Sequence, residues 1–161
     1  MSENWDLDPG VLETDSVLVR SLRMDDLDAV VHIDAAWGGE RRREFYRIRI
    51  QRSLEESSIH LSLAAELDGK VVGFVTVTFF EGEFGRPERA AVLDAVGVHP
   101  DRSGQSVAKA LLRQLEMNLR GLRVEELRTE VDWDRFALLG FLAHAGFKPA
   151  SRLCLQKSLL G

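Results

Sequence analysis

The sequence is poor in the residues that form cross-links and in the apolar runs that form membrane spans. A single cysteine, Cys154, occurs among 161 residues, which excludes an internal disulfide framework and a cysteine-rich zinc site. No apolar run reaches the roughly 18 residues that a transmembrane helix needs, and residues 1–15 lack the apolar core of a signal peptide. We therefore expect a soluble, cytoplasmic protein with no membrane partner.

Positive charge is also in the minority. The chain has 21 Lys and Arg against 26 Asp and Glu, for a net charge of -5. This balance argues against non-specific binding to nucleic acid, because phosphate repels an acidic surface. Arginines do cluster in residues 41–52. Such a run is more often the solvated face of a helix than a surface for an acidic substrate or partner, and both interpretations stay open.

Metal-binding and thiol chemistry have little support. His32, His60 and His99 show no metal-ligand spacing with one another, so no metal site is expected. Cys154 has no His or Asp beside it and falls in an alternating segment, residues 147–157. We expect it to be a buried apolar residue rather than a nucleophile.

The chain has enough apolar residues, 45%, for one sizeable core. We expect a flexible acidic tail over residues 1–15 and a single domain over residues 16–161. Periodicity and turn signals predict the order βααβββαβαβ, an α/β layering around a mostly antiparallel sheet. Asp68-Gly69 predicts a type I′ hairpin, and Gly146 predicts a left-handed helix end. The predicted strands are residues 17–22, 60–67, 71–80, 90–98, 126–131 and 147–157, and the predicted helices are about 23–36, 41–54, 105–119 and 136–145.

Residues 92–112 carry the strongest signal in the chain. Residues 92–98 are small or β-branched, which suits a buried strand, and Pro100 ends that strand because it has no N–H. From Ala108, apolar residues recur with the period of a helix that buries one face. The free N–H groups at the start of such a helix bind phosphate-like anions.

The order of residues in this stretch resembles the acyl-CoA loop of the GNAT superfamily of N-acetyltransferases. That pattern is roughly Val-x-Pro-x-x-Arg/Gln-Gly-x-Gly-x-Gly/Ala after a strand. Ser103 stands where Arg or Gln is usual, and Ser106 where Gly is usual. The element order over residues 16–158 and the Gly146-Phe147 ending resemble the family as well. Four residues match the loop pattern: Val98, Pro100, Gly104 and Ala108.

The resemblance implies a fold and an activity. The fold is α/β (α+β), with a mixed, mostly antiparallel central sheet of six to seven strands flanked by about four helices. The activity is transfer of an acetyl group from acetyl-CoA to a primary amine of a small molecule or protein, by direct attack of the amine on the thioester. The alternative is a catalytically weak or inactive domain of the same fold that binds acyl-CoA or a protein and has a regulatory role. Monomer and homodimer both stay open.

The resemblance also implies which residues bind the cosubstrate. Backbone N–H groups of residues 103–108 would hold the pyrophosphate, with Arg102 in place of the usual side chain at Ser103. The strand edge at Val96 and Val98 would hold the pantetheine, in the way that a peptide joins a sheet. The implied cosubstrate-binding residues are Val96, Gly97, Val98, Arg102, Ser103, Gly104, Gln105, Ser106, Val107, Ala108 and Arg135.

The catalytic groups implied by the resemblance are fewer. Asp94 is the expected general base, although an acid at a sheet end also caps or pairs. Leu142 stands where many relatives have a Tyr that protonates the departing thiolate, and His144 or Asp132 would have to replace it. Three aromatic residues are expected in the acceptor pocket, with core packing as an equal alternative: Trp37, Trp133 and Phe136.

Overall fold

The computed structural model covers most of the chain after the predicted tail. It describes residues 17–38, 40–55, 61–82, 85, 87–103 and 105–161. The predicted tail, His60 and Gly104 lie outside these ranges. The chain divides into two compact units, Met1–Glu130 and Val131–Gly161. Within the described ranges, the first unit contains five strands and three helices, and the second contains one helix.

The observed elements follow the predicted order up to the last helix. The mixed α/β fold is confirmed, with five strands in the described residues where the resemblance implied six to seven. The strands are β1 (Leu18–Ser21), β2 (Leu63–Leu67), β3 (Lys70–Glu81), β4 (Arg89–Val98) and β5 (Glu126–Arg128). The helices are α1 (Leu27–Gly38), α2 (Arg43–Glu55), α3 (Gln105–Gly121) and α4 (Phe136–His144).

The predicted closing strand over residues 147–157 is wrong. These residues have no strand hydrogen bonding, and Leu153 and Leu155 are each 87% exposed. Cys154 is exposed as well, which corrects the expected burial. Alternation of apolar residues describes a strand only when a neighbouring edge supplies backbone partners, and a sequence pattern carries no information about that edge.

The sheet has the strand order β1-β2-β3-β4-β5. The first three pairings are antiparallel, and β4 pairs with β5 in parallel. Asp68 and Gly69 join β2 to β3 with φ angles of 51° and 74°. Both residues are thus in the left-handed region that a type I′ turn requires, and the predicted hairpin is confirmed. None of the helices in the described part of the chain is long and apolar enough to cross a bilayer.

Helices α1 and α3 pack on opposite faces of the sheet, and two glycines allow the close approach. A Cβ on Gly73 would lie 2.7 Å from Cγ1 of Val107 in α3. A Cβ on Gly97 would lie 2.6 Å from the Phe74 ring and 3.2 Å from Cγ2 of Ile33 in α1. Gly73 and Phe74 are consecutive in β3, so their side-chain directions are opposite. The four leucines of the predicted apolar face of α3 are buried, Leu111, Leu112, Leu115 and Leu119, whereas Ala108 is only partly buried and Val107 joins the face instead.

A buried ion pair fixes the entry to α1. Arg20 donates from Nη1 and Nη2 to the two carboxylate oxygens of Asp26, at 2.8 Å each, and from Nε to Glu66 at 2.7 Å. The backbone N–H of Arg23 also donates to Asp26, at 2.8 Å. Burial opposes ionisation of Asp26, but the hydrogen bonds from Arg20 and Arg23 outweigh it and hold its pKa below the ordinary value. Asp26 is therefore ionised and satisfied although its side chain is only 6% exposed.

Asp26→Asn should destabilise the protein because it leaves the Arg20 guanidinium buried without its main partner. We expect the free energy of unfolding at neutral pH to fall by about 3 kcal/mol. The lowered pKa means that this contribution is complete above the unfolded value near 3.8 and is lost as the pH falls through the folded value, so the gap between wild type and variant narrows in acid. Urea denaturation at several pH values measures both effects.

Asp28→Asn is the matched control for this prediction. The side chain of Asp28 is 82% exposed in its ion pair with Arg43, so the change should cost less than about 1 kcal/mol. Equal stability of the two variants at neutral pH would contradict the role given to Asp26.

Candidate active site

Strand β4 has an open edge over its second half. The parallel ladder with β5 covers only Ala90–Val92 of β4, paired with Glu126–Arg128. Just beyond the ladder, the hydroxyl of Thr129 donates to the carbonyl of Leu93 at 2.9 Å. From there to Val98, β4 has no strand partner on this side among the described residues. The second half of β4 therefore leaves its backbone groups on this side without a strand partner among the described residues.

A β-bulge at Asp94 is the local cause of this opening. The β3–β4 register pairs Thr76 with Ala95 and then Val77 with Leu93, so Asp94 is an extra residue in β4. A bulge bends its strand and increases the local twist. The bulge lies two residues after the end of the β5 ladder, and a bend of β4 at this point favours the loss of pairing with β5.

The backbone groups of Val96 and Val98 point to this open edge. The N–H of His99 donates to the carbonyl of Val72 in β3 at 2.7 Å, so the backbone of His99 faces β3. In an antiparallel ladder the N–H and C=O groups of successive residues point to opposite sides. Gly97 therefore faces β3, whereas Val96 and Val98 present free edge groups, as the strand-addition hypothesis requires.

One of these edge groups is already contacted by α1. The indole N–H of Trp37 donates to the carbonyl oxygen of Val98 at 2.7 Å, while the Trp37 side chain stays 61% exposed. Beside it, the rings of His32 and His99 stack with their centroids 5.7 Å apart. Trp37 was expected in the acceptor pocket, and nothing in the sequence indicated its bond to a residue 61 positions away.

The turn after β4 leads into the start of α3. A short 3-10 helix, Pro100–Arg102, precedes it, and the His99 ring accepts from the N–H of Asp101 at 3.2 Å. The first three N–H groups of α3, in residues 105–107, have no acceptor within the helix. Val107 is buried against Gly73, whereas Ser106 is exposed. Packing of Val107 thus fixes the direction in which these N–H groups point.

Arg102 and Ser103 lie next to these N–H groups and are both exposed. The N–H of Ser103 donates to Pro100 at 3.3 Å and that of Arg102 to His99 at 2.8 Å, so neither of these two amides is free. The N–H groups that are free to bind an anion therefore begin after Ser103, later than the predicted range of residues 103–108. The Arg102 side chain, extending from the turn, is the nearest described cation to the helix start in sequence.

The Asp94 carboxylate faces α2 and is engaged at both oxygens. The hydroxyl of Thr78 donates to Oδ2 at 2.5 Å, and Nη1 of Arg49 lies 3.1 Å from Oδ1. Arg49 also lies over the ring of Phe45, 5.1 Å from its centroid. The sequence predicted a role for Asp94 but missed Arg49 and Thr78. Alternation along β3 puts Thr76 and Thr78 on one face, and this pattern was the only sequence signal that two hydroxyl groups share a face of the sheet.

The remaining predicted residues belong to the second unit. Trp133 is 91% exposed and Phe136 is 75% exposed. Arg135 is exposed at the N-terminus of α4, with its N–H donating to Asp132 at 3.0 Å. Gly146 has a φ of 95° and ends α4, where the N–H of Phe147 donates to Leu142 at 2.9 Å. The predicted left-handed helix end is confirmed.

Comparison with known proteins assigns the family. The model of the acetyltransferase (GNAT) family matches residues 25–147, more than half of the chain. The chain belongs to the GNAT acetyltransferase family. This GNAT protein has no group of three or more His, Cys, Asp or Glu side chains placed to hold a metal ion, within the residues that the structure describes.

Solved structures share the fold of this GNAT chain at low sequence identity. An aminoglycoside N-acetyltransferase in complex with CoA has a TM-score of 0.74 at 14% identity, with 90% of this chain and 96% of that chain covered. A ribosomal-protein-alanine N-acetyltransferase from Brucella melitensis biovar Abortus 2308 has a TM-score of 0.69 at 22% identity, with 89% of this chain and 100% of that chain covered. A transcriptional regulator from Bacillus halodurans C-125 has a TM-score of 0.73 at 20% identity, with 89% of this chain and 99% of that chain covered. At these identities the likeness shows the fold alone.

Proposed function

We propose that this GNAT protein is an N-acetyltransferase that uses acetyl-CoA to acetylate a primary amine. Family membership supports acyl transfer. The observation that carries the finer proposal is the open edge of β4, which leads through a short turn into the free N–H groups of α3. The proposed acceptor is a small-molecule or protein amine. We propose cytoplasmic action by one domain over residues 16–161, as a monomer or homodimer.

The residues present fit acetyl-CoA. Its pyrophosphate suits the N–H groups of residues 105–107, because the positive end of a helix dipole attracts anions. Its pantetheine carries amides that pair with an extended strand edge, where Val96 offers its N–H and C=O groups and Val98 its N–H group, while the Val98 C=O accepts from Trp37. An edge N–H that donates to the thioester oxygen would be worth about a hundredfold to a thousandfold in rate.

Proton handling falls mainly to Asp94. An ionised carboxylate has about four lone-pair sites, and Thr78 and Arg49 engage one oxygen each. Asp94 therefore retains sites to take a proton from the attacking amine, directly or through water. Leu142 replaces the usual tyrosine acid, so the thiolate leaves without help from that position. A thiol of pKa about 8.5 is a fair leaving group near neutral pH, and turnover is slowed rather than prevented. Trp37, Trp133 and Phe136 stay proposed as acceptor-pocket residues.

A regulatory acyl-CoA-binding or protein-interaction domain is the second candidate. Four residues favour it because each departs from the family pattern: Ser103, Ser106, Arg135 and Leu142. The similar fold of a protein named as a transcriptional regulator is compatible with it. The two candidates differ in turnover and not in architecture.

Gln105→Pro tests the helix N–H groups as a diphosphate site. Proline is well tolerated in the first turn of a helix but has no N–H, so the change should weaken acetyl-CoA binding by about tenfold or more. Isothermal titration measures the affinity. Gln105→Ala keeps the N–H and is the control. Unchanged affinity in Gln105→Pro, or no binding to wild type at millimolar acetyl-CoA, would overturn the site.

Asp94→Asn tests the proposed base. Release of free CoA thiol over a panel of amines should exceed the rate without enzyme, and the variant should lose about a hundredfold in turnover with little change in acetyl-CoA affinity. Asp28→Asn, at an exposed carboxylate of α1, is the control. A rate equal to wild type at every pH would remove Asp94 from the mechanism. A flat result over the whole panel would favour the regulatory candidate.

Trp37→Phe tests whether the indole competes with the ligand. A pantetheine N–H that reaches the Val98 carbonyl must displace the indole N–H, so removing that donor should lower the Kd for acetyl-CoA by about two- to tenfold. Trp133→Phe, an exposed tryptophan of the second unit, serves for comparison. Weaker binding in Trp37→Phe would mean that the indole packs on the ligand and does not compete with it.

A further inference from the structure

We propose that the amine acceptor is an α-amino acid, whose ammonium group binds Asp94 and whose carboxylate binds Arg49. This inference rests on the proposed function, because it places the acceptor at the bulge beside the open edge of β4. It goes beyond that function by naming the chemical class of the acceptor and the residue that selects it. Arg49 is a specificity-determining residue in this account.

The first support is the exchangeable ion pair. Arg49 Nη1 and Asp94 Oδ1 are 3.1 Å apart, and their side chains are 37% and 13% exposed. An amine without a carboxylate that took the place of Arg49 at Oδ1 of Asp94 would leave Arg49 with the Phe45 ring alone. A molecule that carries both charged groups on one carbon atom replaces this ion pair by two, so each protein charge keeps a partner.

The second support is an unpartnered hydroxyl on the same face. Thr76 is 3% exposed, and its Oγ1 has no hydrogen-bond partner among the described residues. Thr76 shares its face of β3 with Thr78, which donates to Asp94, and it pairs in register with Ala95 next to the bulge. Buried polar atoms in folded proteins normally have a partner. A polar ligand atom or a ligand-bound water at this place would supply it.

The third support is the charge of the neighbouring helix. Residues 41–55 contain six arginines and two glutamates. Asp34 and Asp28 of α1 pair with Arg42 and Arg43, and Glu44 pairs with Arg47. After these pairings Arg41 and Arg52 have no ion-pair partner among the described residues, against one such carboxylate in the segment, Glu55, so the segment keeps an excess of positive charge. Such a segment repels a polycation such as an aminoglycoside and attracts a carboxylate.

Matched acceptors and matched variants test the inference. The thiol-release assay compares each of a set of L-amino acids with its amide and with its decarboxylated amine, for example phenylalanine, phenylalanine amide and phenethylamine. We expect kcat/KM for the acid to exceed that of its partners by about tenfold or more, mainly through KM. Arg49→Gln should bring the ratio of acid to amide toward one, and Arg49→Lys, which keeps the charge, should retain part of it.

Arg120→Gln removes an exposed arginine of α3, on the opposite face of the sheet, and should leave the ratio unchanged. Circular dichroism checks that the Arg49 variants are folded. If Arg49→Gln does not fold, the test relies on Arg49→Lys. Equal rates for acids and amides, or a ratio that survives Arg49→Gln, overturn this inference and leave the acetyltransferase proposal in place. Failure to release thiol with any amine overturns both.

Discussion

The bulge at Asp94 is the feature on which the rest of the candidate site depends. One extra residue in β4 bends the strand just after its ladder with β5 ends, and this frees the edge at Val96 and Val98. The same extra residue directs a carboxylate toward α2, where Arg49 and Thr78 meet it. A single local irregularity thus provides both a strand edge for an extended ligand and a charged group beside it.

Two glycines hold the helices in the positions that this arrangement needs. Gly73 admits Val107, so α3 starts close to the sheet with its free N–H groups beyond the end of β4. Gly97 admits the Phe74 ring and Ile33, so α1 lies close enough on the other face for Trp37 to reach the Val98 carbonyl. A Cβ at either position would push the neighbouring side chains apart. The resulting displacement would affect the residues next to the open edge of β4 rather than a distant surface.

Local signals predicted the parts of the fold that depend on a few neighbouring residues. Asp68-Gly69 specified its turn because both residues tolerate a positive φ, and Gly146 ended α4 for the same reason. The apolar period from Ala108 specified the buried face of α3 through its four leucines, Leu111, Leu112, Leu115 and Leu119. The order of the elements and the loop pattern around Pro100 were enough to suggest the family, because together they are far more specific than any single motif.

Contacts between distant residues were out of reach of the sequence. Arg49 and Asp94 belong to different elements, and only the sheet register brings them together. The bulge itself was hidden, because a strand with one extra residue looks like any short apolar stretch. The closing strand over residues 147–157 failed for the converse reason, since its alternation was clear but its pairing partner was assumed.

Amide NMR during titration with acetyl-CoA tests the central claim most directly. The claim is that the bulged strand and the start of α3 form one continuous binding surface. It predicts that the largest shifts appear together at Val96, Val98 and residues 105–107, with smaller shifts at the sheet edge beside β1. Shifts concentrated elsewhere, or none at millimolar ligand, would contradict it.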